Sequence, residues 1–120
     1  MIKKLLGIAP KLESDGSFSP SKLAVKLGTV DKSDFKNVLY QKYQGKKKKI
    51  LVIFTEHKNM TMKNGKMFST GNHPVEALLP MLHLRNAGFE FEIVTPTGKP
   101  VIFEMWAFPN KDEHVKNIYN

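Results

Sequence analysis

The apolar positions of this chain gather in its second half. Ile50-Leu-Val-Ile-Phe54 is a compact run with β-branched residues, entered from the lysines at 46 to 49. Such a run reads as a central parallel strand, covered on both faces. Residues 55 to 71 are polar, and Asn64-Gly65 marks a turn. A helix comes next. Pro74 suits its first position, where the missing N–H costs nothing, and His73 or Asn72 would be the cap. Val75, Leu78, Leu79 and Leu82 fall at i, i+3, i+4 and i+7, which makes one apolar stripe. Gly88 is placed to end the helix in the left-handed region. Phe89 to Thr95 then alternates as a second strand, and Thr97-Gly98-Lys99-Pro100 turns the chain. Val101 to Met105 makes a third extended piece, and Asp112 to Asn120 starts another helix.

Strand, helix and strand in this order predict a right-handed, parallel βαβ unit. Residues 1 to 45 are rich in Ser, Gly, Lys and Asp without a sustained period. They read as a surface-wrapping arm with a short helix from Ser21 to Leu27. Residues 46 to 120 read as the first part of an α/β domain. A parallel sheet needs helices on both faces, and two or three strands leave one face bare. The expectation is therefore an α/β fold, an incomplete sandwich that forms the front of a larger domain.

Composition narrows the function. With 120 residues and 41% hydrophobic content, the chain can form one domain with a modest core. No apolar run approaches the ~20 residues needed to span a bilayer. The opening apolar stretch is too short for a secretory signal, so the expected compartment is the cytoplasm. The absence of cysteine excludes disulfides, thiolate metal sites and a cysteine nucleophile within these residues. The net charge of +8 is uneven: residues 1 to 49 carry twelve lysines against Glu13, Asp15, Asp31 and Asp34, whereas the remainder balances. Clustered lysine attracts anionic partners. The extension has no arginine for bidentate contacts, however, and Phe18, Phe35, Tyr40 and Tyr43 show no stacking pattern. A solvated lead-in to the strand is the favoured reading, and neither nucleic acid nor membrane is expected as a partner.

Glu76 is the candidate of most chemical interest. If Pro74 opens the helix, Glu76 is its third residue, and a capping-box role alone would explain it. Its position supports a second reading. A helix that follows a central strand starts at the carboxyl edge of the sheet, where open α/β sheets hold ligands, and an acid there can exchange protons with a substrate. Pro80 leaves the Glu76 carbonyl without its usual donor. His73 and Glu76 can share a helix face, with Asn72 and His73 on a pocket rim. His57 and His114 read as solvent-exposed. His83 and Glu90 can approach near the helix end, where Arg85 opposes a cation. Ser69 has no visible base partner, and no glycine-rich phosphate loop is present.

Several stretches carry a resemblance: Lys49-Ile-Leu-Val-Ile, Asn64-Gly-Lys-Met-Phe-Ser-Thr-Gly-Asn-His-Pro-Val-Glu-Ala-Leu-Leu-Pro, Asn86-Ala-Gly-Phe-Glu-Phe-Glu-Ile-Val-Thr and Phe103-Glu-Met-Trp-Ala-Phe-Pro-Asn-Lys-Asp-Glu. Together these resemble the opening of HchA-type members of the DJ-1/PfpI superfamily, over about residues 45 to 120. Residues 15 to 45 match loosely, through Phe18, Pro20 and Ser33-Asp34-Phe35. The resemblance implies a flavodoxin-like (class I glutamine amidotransferase-like) sandwich, usually a homodimer. It also implies glutathione-independent glyoxalase III activity, protein deglycase activity and a holding-chaperone role. Such sites use a cysteine on a strand-to-helix turn, a histidine after it, and an acid from the first βα unit, which Glu76 matches. The thiolate attacks the aldehyde of methylglyoxal, while acid and histidine shuttle protons until lactate leaves. Small carbonyl compounds and glycated proteins are the implied substrates, and no cofactor is implied. Some relatives bind a metal: Glu90 matches one ligand, but Arg85 stands where a histidine would be, so no metal is expected.

Because the chain lacks the nucleophile, it reads as a truncated form that cannot run the covalent mechanism alone. Two alternatives stand beside this reading. One is a non-catalytic fragment that binds unfolded clients through the unfinished sheet. The other is a basic arm that binds an anionic partner.

Overall fold

A computed structural model describes residues 2–120, with the side chain of Lys4 outside the description. Its centre is the pair β3 (Lys49–Ile53) and β6 (Glu90–Val94), parallel and in register from Lys49 opposite Glu90 to Ile53 opposite Val94. Between them in sequence lies α3 (Pro74–Asn86), so the predicted βαβ unit is present. Pro74 opens α3, His73 caps it, and Gly88 (φ 91°) follows its end with its N–H on the Arg85 carbonyl.

The core lies on one side of this pair. Phe54, Leu78, Met81 and Leu82 are buried together with Phe108 and with Val115 of α4 (Glu113–Tyr119). Val52 and Phe91 pack against them from the sheet. The buried stripe of α3 differs from the predicted one. Met81 is in the core, while Val75 and Leu79 are half-buried, because α4 packs on α3 and brings Val115 into the core. The expectation that both faces of β3 are covered is corrected. Alternate residues Leu51 and Ile53 are 59% and 71% exposed, and Val94, in register with Ile53, is 37% exposed. Only one helical layer lies against this pair among the described residues, which leaves an apolar face open.

Residues 55 to 71 hold more than a turn. β4 (Asn59–Thr61) and β5 (Met67–Ser69) form an antiparallel hairpin around Asn64-Gly65. They join β1 (Lys11–Leu12) and β2 (Phe18–Ser19) in a four-stranded mixed sheet, with β2 parallel to β5 through Phe18 and Phe68. The third extended piece is a second correction. Val101 to Met105 forms one isolated bridge, between Phe103 and Asn72, and runs into a 3₁₀ turn at Met105–Ala107. The Asn72 side chain occupies backbone positions that a ladder there would use.

The amino-terminal region is anchored at its ends. Residues 2 to 28 supply the short helices α1 (Ile2–Leu5) and α2 (Lys22–Gly28), the latter capped by Ser21, besides β1 and β2. From residue 29 to 45 the chain is irregular and straps across the ends of α3 and α4. Asp112, 1% exposed, accepts hydrogen bonds from the Ser33 N–H (2.9 Å), the Ser33 hydroxyl and the Val115 N–H (3.0 Å). Phe35 lies 4.8 Å from the His83 ring and 4.9 Å from that of His114. The Tyr40 hydroxyl meets His83 Nδ1 at 2.8 Å, and Tyr43 stacks on Phe89. Three of the aromatics that show no pattern in the sequence, Phe35, Tyr40 and Tyr43, are the fasteners of this strap.

Candidate functional site

The entry to α3 is built from three segments. Phe54 and Thr55 follow β3 and continue its direction toward the edge of the sheet: the Phe54 N–H bonds the Val94 carbonyl at 2.9 Å. Asn72 stands against Thr55, giving Nδ2 to the Thr55 carbonyl (3.1 Å) and taking the Thr55 N–H on Oδ1 (3.1 Å). Its Nδ2 also reaches the Ile102 carbonyl at 2.7 Å, while its backbone bonds Ile102 and Glu104. Asn72, expected on a pocket rim, is thus a clamp between the strand end, the helix entry and the segment at 102 to 104. Gly71 permits the approach, since a Cβ there would lie 2.9 Å from the Ile102 carbonyl oxygen.

With the entry fixed, the first turn of α3 is determined. His73 is the cap, its Nδ1 accepting the Glu76 N–H at 3.4 Å. Glu76 is therefore the third helical residue, as its spacing from Pro74 predicts. Its side chain is exposed, and its carboxylate makes no hydrogen bond among the described residues, so it closes no capping box. Pro80 lies within the helix and withholds a donor from the Glu76 carbonyl. A carboxylate held on a rigid turn and left without partners can accept or donate a proton to a bound molecule.

Glu56, unremarked in the sequence reading, sits just past the end of β3. It accepts the Thr97 hydroxyl (2.5 Å) and the N–H groups of Thr97 (3.1 Å) and Lys99 (3.2 Å). These bonds, the Thr97 hydroxyl foremost, bring its carboxyl down to about 2. It secures the turn after β6 at the same edge of the sheet. An acid at a strand end, with a Thr-Pro-Thr-Gly turn elsewhere in the chain, was the signal available.

The other candidates are scattered. Arg85 ends α3 and is exposed, and Glu90 opens β6 with its N–H on the Lys48 carbonyl. Among the described residues no group of three or more His, Asp or Glu could hold a metal ion. His83 is engaged with Tyr40 and Phe35 rather than with Glu90, and His57 and His114 are exposed. Cavities of about 690 and 540 Å³ lie elsewhere, and neither is lined by Asn72, His73 or Glu76. No helix among the described residues is long and apolar enough to cross a membrane.

The elements define an α/β protein with a parallel strand–helix–strand unit and a free acid at the helix entry. No protein-family model matches the chain. Among curated proteins it is 48% identical over 110 residues to the protein/nucleic acid deglycase HchA of Pseudomonas aeruginosa strain UCBPP-PA14. It is 45% identical over 112 residues to the protein of the same name from Staphylococcus aureus strain N315. Both matches cover 92% of this chain and 38% of the relative, so the chain spans well under half the length of these proteins. Over the matched residues the chain is of the HchA type.

Proposed function

We propose that Glu76 is the proton-transferring carboxylate of a deglycase and glyoxalase III site. The observation that carries this reading is a carboxylate free of partners, at the sheet edge, on an entry clamped by Asn72. The names of the relatives support the deglycase part. In the proposed reaction a thiolate adds to the carbonyl carbon of methylglyoxal or of a glycated group. Glu76 and a histidine then move protons between carbon and oxygen until the adduct is a thioester of lactate. Water hydrolyses it, which frees lactate and the thiol, and from a glycated group the amine leaves as well. This chain holds no cysteine, so the thiol must come from outside these 120 residues. The 120-residue chain alone is therefore expected to be inactive, and the site belongs to a complete flavodoxin-like sandwich, a homodimer in the cytoplasm. Because the relatives are named for nucleic acid as well as protein, glycated nucleic acid joins the proposed substrates, against the weight given above to the missing arginine.

The test is a chimera in which residues 2 to 120 replace the matching region of the Pseudomonas relative. The chimera should release lactate from methylglyoxal, and Glu76→Gln should slow it by ~100-fold or more, the usual worth of a positioned acid/base. An E76Q chimera with full activity would end the proposal.

The open face of Leu51, Ile53 and Val94 favours a second reading, in which the chain holds unfolded clients by apolar contact. Suppression of client light scattering by the purified chain, lost in Ile53→Lys, is the outcome this requires.

A further inference from the structure

We propose that the cavity between the loop of Gly7, Ala9 and Pro10, the β1–β2 hairpin and α2 binds an amphiphilic carboxylate, a fatty acid anion of medium length. The cavity has a volume of about 690 Å³, inside the ~300–1,000 Å³ typical of small-molecule sites. Its floor is apolar, formed by Leu12, Pro20, Val25 and Trp106. Leu12 is 63% exposed, so this surface is uncovered as it stands.

The charge on the wall selects the ligand class. Lys22 and Lys26 both line the cavity, one turn apart on the same side of α2. Neither forms an ion pair among the described residues. The single acid of the lining, Glu13, is already engaged by Lys11 at 3.0 Å and by the Ser19 hydroxyl at 2.5 Å. Two uncompensated ammonium groups beside an apolar floor suit a molecule with an alkyl body and an anionic head. A long-chain cation meets repulsion, and a short hydrophilic anion leaves the floor wet. The frame is fixed before binding: the Leu23 N–H bonds the Gly7 carbonyl at 3.0 Å, Ser21 caps α2, and Lys11 and Leu12 pair with Ser19 and Phe18.

Trp106 is the only tryptophan of the chain and lines the cavity, so its emission reports on occupancy. The experiment titrates the 120-residue protein with decanoate below its micellisation limit. A saturable change in Trp106 emission is expected. The double variant Lys22→Glu, Lys26→Glu should weaken it roughly tenfold or more, and Val25→Phe should weaken it by filling the floor. Ile53→Lys, on the open sheet face, should leave it unchanged. The idea is overturned by any of four results: no saturable change, an equal response to decyltrimethylammonium, loss of response in I53K with retention in the lysine variant, or a response only to anionic vesicles, which would make the patch a membrane contact.

Discussion

Asn72 and Thr55 exchange two hydrogen bonds, one in each direction and both 3.1 Å long, across 17 residues of chain. The side-chain amide thereby takes the part of a neighbouring strand where β3 runs out. Asn72→Ala leaves the Thr55 N–H without a partner, while the Thr55 and Ile102 carbonyls each lose one of two donors. An orphaned N–H costs about 1–3 kcal/mol, so the variant should lower the free energy of unfolding by about that amount in urea. Asn72→Asp should recover little, because a carboxylate can accept from Thr55 but repels both carbonyls.

Gly71 is under the same constraint from the backbone side. A methyl group there would meet the Ile102 oxygen and the Phe103 carbonyl carbon, both at 2.9 Å, and neither belongs to a movable side chain. Gly71→Ala is expected to destabilise by about 1–3 kcal/mol, as overpacking does. Exchange of the Asn72 and Glu104 amides with deuterium should rise with it. Unchanged protection at both would contradict the close approach.

Asp112 links the strap to α4 and titrates accordingly. Burial alone would raise its carboxyl, but the Ser33 hydroxyl and the N–H groups of Val115 and Ser33 outweigh it and hold the group below its ordinary value of 3.8. A carboxyl lowered on folding adds stability that is present above 3.8 and lost as pH falls through the folded value. Asp112→Ala should cost about 2–3 kcal/mol at neutral pH, a cap plus a freed Ser33, and should flatten the acid limb of the stability profile. Asp31→Ala, which breaks an exposed pair with Lys111, should change stability by no more than ~0.5 kcal/mol.

Glu56 gives a second acid-sensitive fastening. Its carboxyl falls from 4.5 to about 2 on folding, so its hold on the turn is complete above 4.5 and vanishes as pH drops toward 2. The Thr97 and Lys99 amides should lose exchange protection across that window. Glu56→Gln should show the loosened turn already at pH 7, with little effect on the β3–β6 pair.

The sequence made α3 readable because its punctuation is local. Pro74 sets the phase of the helix, Gly88 closes it, and Glu76 consequently falls on the first turn where expected. β3 and β6 were readable from their apolar runs, to within a residue. The hairpin was not, since β4 and β5 are three residues each and Met60 and Met67 face solvent. The pattern at Val101 to Met105 looked like a strand, but the partner it finds is one residue, Asn72. The clamp and the strap depend on contacts between distant residues, Asn72 with Ile102 and Ser33 with Asp112. No local period encodes such pairs.

The register of β3 against β6 also imposes an order of events. Lys49 cannot meet Glu90 until the hairpin and α3, which lie between them, have closed the intervening loop. The hairpin and α3 rest on contacts near in sequence and are free to form early, whereas the parallel pair must wait. Tyr40 and Tyr43 grip His83 and Phe89, so the strap has nothing to fasten to until α3 and the start of β6 are in place. The lysine-rich front of the chain, made first, is therefore the last part to find its seat, and during synthesis it stays open to proteases that cut after lysine.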